Sequence, residues 1–295
     1  MKRRIYTNSK SRRYLRWLVF GSSTYQLYAF VASIPAALIS SLIWNWNYTV
    51  VRCALALVIA GLFCQYPVHA LALTIPEKLT YDLTWTGIKA GTATQEIVDE
   101  KDRVRIISTA RSADWLSVFF EVEDLIETTL IRIPGQSLGL PHTYRMNIRE
   151  GKHRRDREIR FDHEAGKAQY IDHLSNEKVE LEITRNTYDI YTAFYYVRSI
   201  PLEVGKSVLI SILDGKELYN LEVQALRKER IKTPLGEFNT IKIKPVMKSE
   251  GIFQKKGNIY IWLTDDARRL PVKMQSKVFI GSVTATLVGV NSRQR

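Results

Sequence analysis

Cysteine is almost absent from this chain. Of its 295 residues only Cys53 and Cys64 are cysteine. Both precede residue 77, so everything beyond them can hold neither an internal disulfide nor a thiolate metal site, and has no cysteine nucleophile. Acidic residues are missing from the same stretch: none occurs before Glu77, whereas Lys2, Arg3, Arg4, Lys10, Arg12, Arg13, Arg16 and Arg52 all do. With 43 Lys and Arg against 30 Asp and Glu overall, these leader cations account for most of the +13 net charge. The remainder is close to balanced, which removes the case for a nucleic-acid surface. No HExxH, EF-hand loop, GxSxG elbow, GxGxxG or Walker loop is present, so metal, serine-hydrolase and nucleotide chemistry have no motif to stand on and no cofactor is expected.

Long apolar runs are also scarce. Cys53–Cys64 (CALALVIAGLFC) has 12 residues, about 18 Å as a helix against a hydrocarbon core of about 30 Å, too short to span. Arg52 before it and Ala70-Leu71-Ala72 after it complete the charged, apolar and small-residue segments of a secretory signal peptide over 51–72. Cleavage is expected after Ala72 or Ala70, with Leu73 or Leu71 at the mature N-terminus. Residues 1–50 form a basic and apolar extension, read either as an over-extended start ahead of an initiator near Val50 or Val51 or as a membrane segment that anchors the chain if the leader is retained. The expected location is periplasmic or elsewhere in the cell envelope.

Residues 73–295 read as a single domain that is all-β and mainly antiparallel. Leu79, Tyr81, Leu83 and Trp85 alternate with polar neighbours, as do Tyr144, Met146 and Ile148, and turn residues recur at short intervals. About a dozen strands are expected, in a curved sheet or open β-barrel. The exception is Asn186–Ile200, where Tyr188, Tyr191 and Tyr195 recur at helical spacing and Pro201 stops the run. One amphipathic helix, capped by Asn186, is predicted there as a lid or plug on the apolar face. Its tyrosines are core packing or, as the functional alternative, a ligand-lining wall.

Several segments together resemble a known family: Leu79-Thr80-Tyr81 with Gly87-Ile88-Lys89-Ala90-Gly91, Tyr188-Asp189-Ile190-Tyr191 running to Arg198-Ser199-Ile200-Pro201-Leu202, Thr233-Pro234-Leu235-Gly236-Glu237-Phe238, and Ile261-Trp262-Leu263-Thr264-Asp265-Asp266. Over about residues 77–290 the chain is similar to the exported bacterial family called domain of unknown function 3108. That resemblance implies an envelope β protein and supplies no catalytic residue.

Three features invite chemistry. His153, His163 and His173 are spaced ten apart, but along a strand ten residues span about 33 Å, and a turn at Ala165-Gly166 would set His163 against Ala168 and His173 against Glu158; no metal site is expected. Asp265-Asp266 is turn chemistry before it is an acid/base pair. Asp124 falls on the apolar face of a strand read over Ser117–Ile133, among Val118, Phe120, Val122 and Ile126, where a carboxylate must be paired, protonated or wetted. It is either hydrogen-bonded to a neighbouring strand or a polar contact on the floor of a groove.

Cations crowd one hairpin: Arg145, Arg149, Lys152, Arg154, Arg155, Arg157 and Arg160. The apolar residues before it are even-numbered and Ile159 and Phe161 after it are odd, so facing pairs must sum to an odd number. A turn centred on Glu150-Gly151 predicts Arg149 opposite Lys152, Arg145 opposite Asp156 and Tyr144 opposite Arg157. The candidate ligand residues are therefore Asp124, Tyr188, Tyr191 and Tyr195, and the candidate anionic-surface contacts Arg145, Arg149, Arg154, Arg155 and Arg157. The function expected is non-catalytic binding of a lipid, amphiphile or anionic envelope polymer inside an aromatic interior (Trp85, Phe120, Tyr144, Tyr191, Tyr195, Trp262). An envelope hydrolase using surface carboxylates, or a scaffolding subunit with an envelope protein partner, is the alternative.

Overall fold

The computed structural model describes residues 73–133, 138–248, 259–277 and 281–292. The extension, the signal segment and the cleavage positions at Ala70 and Ala72 lie outside them.

The strands are β1 (Glu77–Trp85), β2 (Ile88–Glu100), β3 (Arg103–Ser112), β4 (Glu123–Ile131), β5 (Leu140–Glu150), β6 (His153–Asp162), β7 (Lys167–Asp172), β8 (Glu177–Glu182), β9 (Ser207–Asp214), β10 (Glu217–Thr233), β11 (Gly236–Lys248), β12 (Ile259–Thr264), β13 (Pro271–Lys277) and β14 (Ser282–Ser292). Two helices interrupt them, α1 (Asp114–Ser117) and α2 (Ile190–Arg198). All fourteen strands form one antiparallel sheet in the order β8-β7-β6-β5-β4-β3-β2-β1-β14-β13-β12-β11-β10-β9. The first and last strands pair, so the meander is continuous through β1·β14 and its free edges are β8 and β9. The connection between those edges contains α2. Tyr188 there makes a parallel bridge to Ile212 of β9, accepting from Leu213 N and donating to Ser211 O, each at 2.9 Å.

The helix begins later than its tyrosine spacing predicts. Asp189, not Asn186, is the N-cap: its carboxylate accepts from Tyr191 N at 2.9 Å and Thr192 N at 3.0 Å, and Thr128 Oγ1 donates to it from β4 at 3.2 Å. Asn186 lies in a turn, and Tyr188 after it spends its backbone groups on β9, which delays the helix. The C-terminal end is as expected, with Ser199 as C-cap ahead of Ile200-Pro201. Ala193 and Val197 pack among Ile210, Ile212, Leu221, Ile241 and Leu263, while Tyr191 meets a cluster of Tyr144, Ile159, Phe161 and Tyr170. Tyr195 joins Ile97, Val104, Ile106 and Leu130. One short helix thus covers apolar side chains from both arms of the sheet, each large buried group contributing about 1.5–3 kcal/mol.

The cationic hairpin has the predicted parity in a different register. Tyr144 faces Ile159, Arg145 faces Glu158, Met146 faces Arg157, Ile148 faces Arg155 and Arg149 faces Arg154. The turn residues are Gly151 and Lys152, and Gly151 adopts φ 56° at the first central position, where a two-residue hairpin favours glycine. The next hairpin is displaced too: Phe161, not His163, faces Ala168, and Ile171 rather than His173 faces Glu158. Trp262 is buried as expected, but Trp85 is 38% and Phe120 47% exposed, so neither belongs to the interior. The strand read from Ser117 begins only at Glu123, because α1 and the loop after it break the alternation.

Candidate functional site

Directly opposed residues share a face, so the β5–β6 register sorts the five candidate arginines. Arg155 and Arg157 stand with Ile148, Met146, Tyr144 and Ile159 on the face that carries α2; Arg145, Arg149 and Arg154 lie on the other. There Arg145 reaches Asp156 at 3.2 Å, Arg149 reaches Glu123 at 3.4 Å and Arg154 donates to the carbonyls of Gly151 and His153 at 2.7 and 2.9 Å. The five are not one surface.

On the helix face the β9–β10 turn approaches β5, β6 and β7 and closes a cleft of about 340 Å³. Its apolar floor is Tyr144, Met146 and Ile159, and its rim holds Arg155, Arg157, Lys216, Asp214 and Glu217. Two cations are tethered. Arg157 Nε donates to Asp172 at 3.3 Å, and Lys216 Nζ lies 2.6 and 2.7 Å from the Glu177 carboxylate oxygens. Both approach the Tyr170 ring, at 6.0 and 5.4 Å from its centroid, with the Tyr170 hydroxyl donating to Asp172 at 3.3 Å. Arg155 is exposed, and among the described residues it has no hydrogen bond or ion pair.

Below the rim the Tyr144 hydroxyl is buried with no hydrogen-bond partner in the described structure. Burial pushes its pKa well up, helped by Tyr191, Asp189, Asp214 and Tyr219 nearby; it remains a neutral phenol able both to donate and to accept. A cleft with an apolar floor, a free guanidinium and an idle phenol can hold an anionic head group next to an aliphatic segment. No nucleophile–base pair lies among its described residues.

The other candidate residues are dispersed. Tyr188 stacks on Tyr196 at 5.1 Å, and burial lifts its pKa to about 12. Tyr195 is fully buried, with the Arg198 guanidinium 4.9 Å from its ring centroid. Tyr191 does not line the cleft either; burial raises its pKa and a hydrogen bond from Ser108 opposes the shift, with Asp124 and Asp189 close by. Asp124 accepts from Arg149 N at 3.0 Å, bridging a gap in the β4–β5 ladder. Burial raises its pKa and that bond partly offsets it. Asp265 and Asp266 are occupied: Asp265 meets Lys228 at 2.6 Å and Arg269 at 3.2 Å, and Asp266 accepts from Thr264 Oγ1, Arg268 N and Arg269 N as a turn residue.

Asp214, Lys216 and Tyr170 escaped the sequence reading. Asp214-Gly215 is legible as a turn, but its approach to β6 depends on the order of the whole sheet.

A family model described as "Protein of unknown function (DUF3108)" matches residues 80–288. No curated protein matches the chain. Among solved structures, a β-barrel-like protein of domain of unknown function DUF1849 from Brucella abortus is similar at 11% identity and TM-score 0.51, covering 76% of this chain and 100% of that one. A protein of YmcC-like fold from Bacteroides fragilis is similar at 13% identity and TM-score 0.31, covering 75% and 100%.

Proposed function

Because the chain belongs to the DUF3108 family, a family of unknown function, we propose its activity from the cleft itself: it binds an anionic amphiphile of the cell envelope without transforming it. The head group sits against Arg155, with Arg157 and Lys216 beside it, and the first methylenes lie over Tyr144, Met146 and Ile159. The observation that carries this reading is the pairing of an uncompensated guanidinium with an unsatisfied buried hydroxyl in one small cleft. A buried hydroxyl without a partner costs about 1–3 kcal/mol, which a ligand oxygen would recover. The volume suits a head group and part of a chain rather than a whole lipid.

Export supports the same reading and rests on the leader, where Arg52, Cys53–Cys64 and Ala70-Leu71-Ala72 follow signal-peptide order. N-terminal sequencing of the mature chain is expected to start at Leu71 or Leu73.

Calorimetric titration with a short alkyl phosphate tests the binding. Replacing Arg155 and Arg157 by Gln is expected to weaken it about tenfold or more, since charge-assisted bonds are the strong ones; Tyr144→Phe is expected to weaken it less. Equal affinity in wild type and the double variant would overturn the assignment.

A further inference from the structure

We propose that the face of β10–β13 turned away from α2 is a second binding site, for a polyanion that carries several linked phosphates, with Lys242 and Lys273 at its centre. Register builds it. Arg227 of β10 faces Lys242 of β11, Lys242 faces Trp262 of β12, and Trp262 faces Lys273 of β13, so these side chains form one row across four strands. Ile241, Ile243, Ile261 and Leu263, which alternate with the row, are on the core side with α2. Two rings hold the ammonium groups. Lys242 Nζ lies 4.3 Å from the Tyr260 ring centroid and 4.5 Å from that of Trp262, Lys273 Nζ lies 4.9 Å from Trp262, and Lys244 Nζ lies 6.0 Å from Tyr260. An ammonium held over a ring has already given up rotamer freedom, so less is lost when an anion arrives.

The charge on this face is unbalanced. Alternate residues add Lys244 on β11 and Lys277 on β13, while the acids on the same face of these strands are Glu222 and Glu229 of β10. Glu229 is engaged by Arg227 at 2.9 Å and by the Trp262 indole. Lys244, Lys273 and Lys277 have no carboxylate partner among the described residues. Beyond β13 the next acid along the row is Asp82, reached through Thr286, and Lys89 holds it at 2.8 Å. The sequence of the β11–β12 connection, 249–258, sets Glu250 against Lys255 and Lys256, so it adds no net negative charge.

The occupant follows from that imbalance. Arg227 and Lys242 are like charges directly opposed, which destabilises a bare sheet. Glu229 lies 3.9 Å from Lys242, yet the Lys242 pKa stays below its ordinary value: burial lowers it, Arg227, Lys273 and Lys277 lower it further, and Glu229 opposes them without cancelling. One carboxylate therefore does not relieve the crowding, whereas phosphates, each with more than one charge to offer, would. Successive cation positions lie about 5 Å apart per strand crossed and about 7 Å apart along one strand, a span that several linked phosphates cover and a single one does not. An acyl chain has no place here. On β11, β12 and β13 no described residue of this face is an exposed large hydrophobic, and Trp262 itself is buried. The site does not depend on the cleft, which lies on the opposite face.

Calorimetric titration of the full chain with short-chain inorganic polyphosphate tests the proposal. Lys242→Gln/Lys273→Gln keeps the stems beside Trp262 and removes both charges; it is expected to weaken polyphosphate binding about tenfold or more while its thermal melt and its binding of a short alkyl phosphate stay unchanged. If that variant melts lower, Lys244→Gln/Lys277→Gln serves in its place and is expected to show the same direction of loss. Inorganic monophosphate is expected to bind wild type at least about tenfold more weakly than the chain does. Equal polyphosphate affinity in wild type and the folded Gln variant would overturn the assignment. Polyglutamate bound as tightly as polyphosphate would overturn the phosphate class and assign the face to an acidic protein segment.

Discussion

Arg198 and Glu77, at the end of α2 and the start of β1, form an ion pair that is almost completely buried, with Nη2 2.8 and 3.0 Å from the two carboxylate oxygens. Arg198 Nε also donates to Arg269 O at 3.1 Å, so one guanidinium joins the helix to β1 and to the loop before β13. Removing one member strands a buried charge: Glu77→Ala is expected to cost about 3–5 kcal/mol in chemical denaturation. The double replacement Glu77→Leu/Arg198→Met should recover much of that loss. A double variant as unstable as Glu77→Ala would show that the pair's hydrogen bonds, rather than charge compensation, hold the helix.

Asp189 caps α2 from a fully buried position. Burial raises its pKa above the ordinary carboxylate value, and its bonds from Thr192, Tyr191 and Thr128 oppose that shift without cancelling it. A carboxyl whose folded pKa is raised contributes stability below its unfolded pKa, and that contribution is lost as pH rises through the folded value. Asp189→Asn keeps an oxygen for the cap and removes the charge. It is expected to stay within about 1 kcal/mol of wild type at neutral pH, with wild type gaining on it as the solution is acidified through the carboxylate range. Asp189→Ala should lose about 2 kcal/mol at neutral pH, as removal of a strong cap does, and should fall further behind wild type as the solution is acidified.

Trp262 is 4% exposed, yet its surroundings are not purely apolar. Its indole nitrogen donates to Glu229, and Lys242 and Lys273 stand 4.5 and 4.9 Å from its ring. Burial works against Glu229, but Trp262 and Arg227 hold its pKa below the ordinary value. Trp262→Ala is expected to cost about 3–5 kcal/mol by equilibrium unfolding. Trp262→Phe, which keeps much of the packing and drops the donor, should cost about 1–3 kcal/mol.

What the sequence could disclose tracks the range of each interaction. Side-chain alternation is local, so the antiparallel class, the shared face of Tyr144, Met146 and Ile159, and the placement of Arg155 and Arg157 on it were all legible. Parity leaves register open by steps of two, and Gly151's backbone settles it at the turn. Asp189 outcompetes Asn186 as the cap only because β9 claims the backbone of Tyr188. Phe120 looks internal through an alternation that α1 interrupts. The cleft was illegible for a different reason: Lys216 and Arg155 come to line one cleft only after fourteen strands are ordered so that β9 and β6 come near each other, and no local pattern encodes that.

The two-faced hairpin makes a prediction that a generic basic patch does not. If anion capture required only positive charge, Arg145→Ser/Arg149→Ser and Arg155→Ser/Arg157→Ser would weaken it alike, since each removes two charges from the same β-hairpin. Arg145 and Arg149 already contact Asp156 and Glu123 on the far face, while Arg155 and Arg157 line the cleft. Loss of alkyl phosphate binding is therefore expected in the second variant and not the first. Neither should change the melting transition greatly, because exposed pairs contribute about 0–1 kcal/mol. The wild-type affinity should also fall as salt is raised past the point where the screening length is about 8 Å, and the Arg155→Ser/Arg157→Ser variant should lose most of that salt dependence. Equal weakening in both variants would mean that the charge of the hairpin, and not the cleft, attracts the ligand.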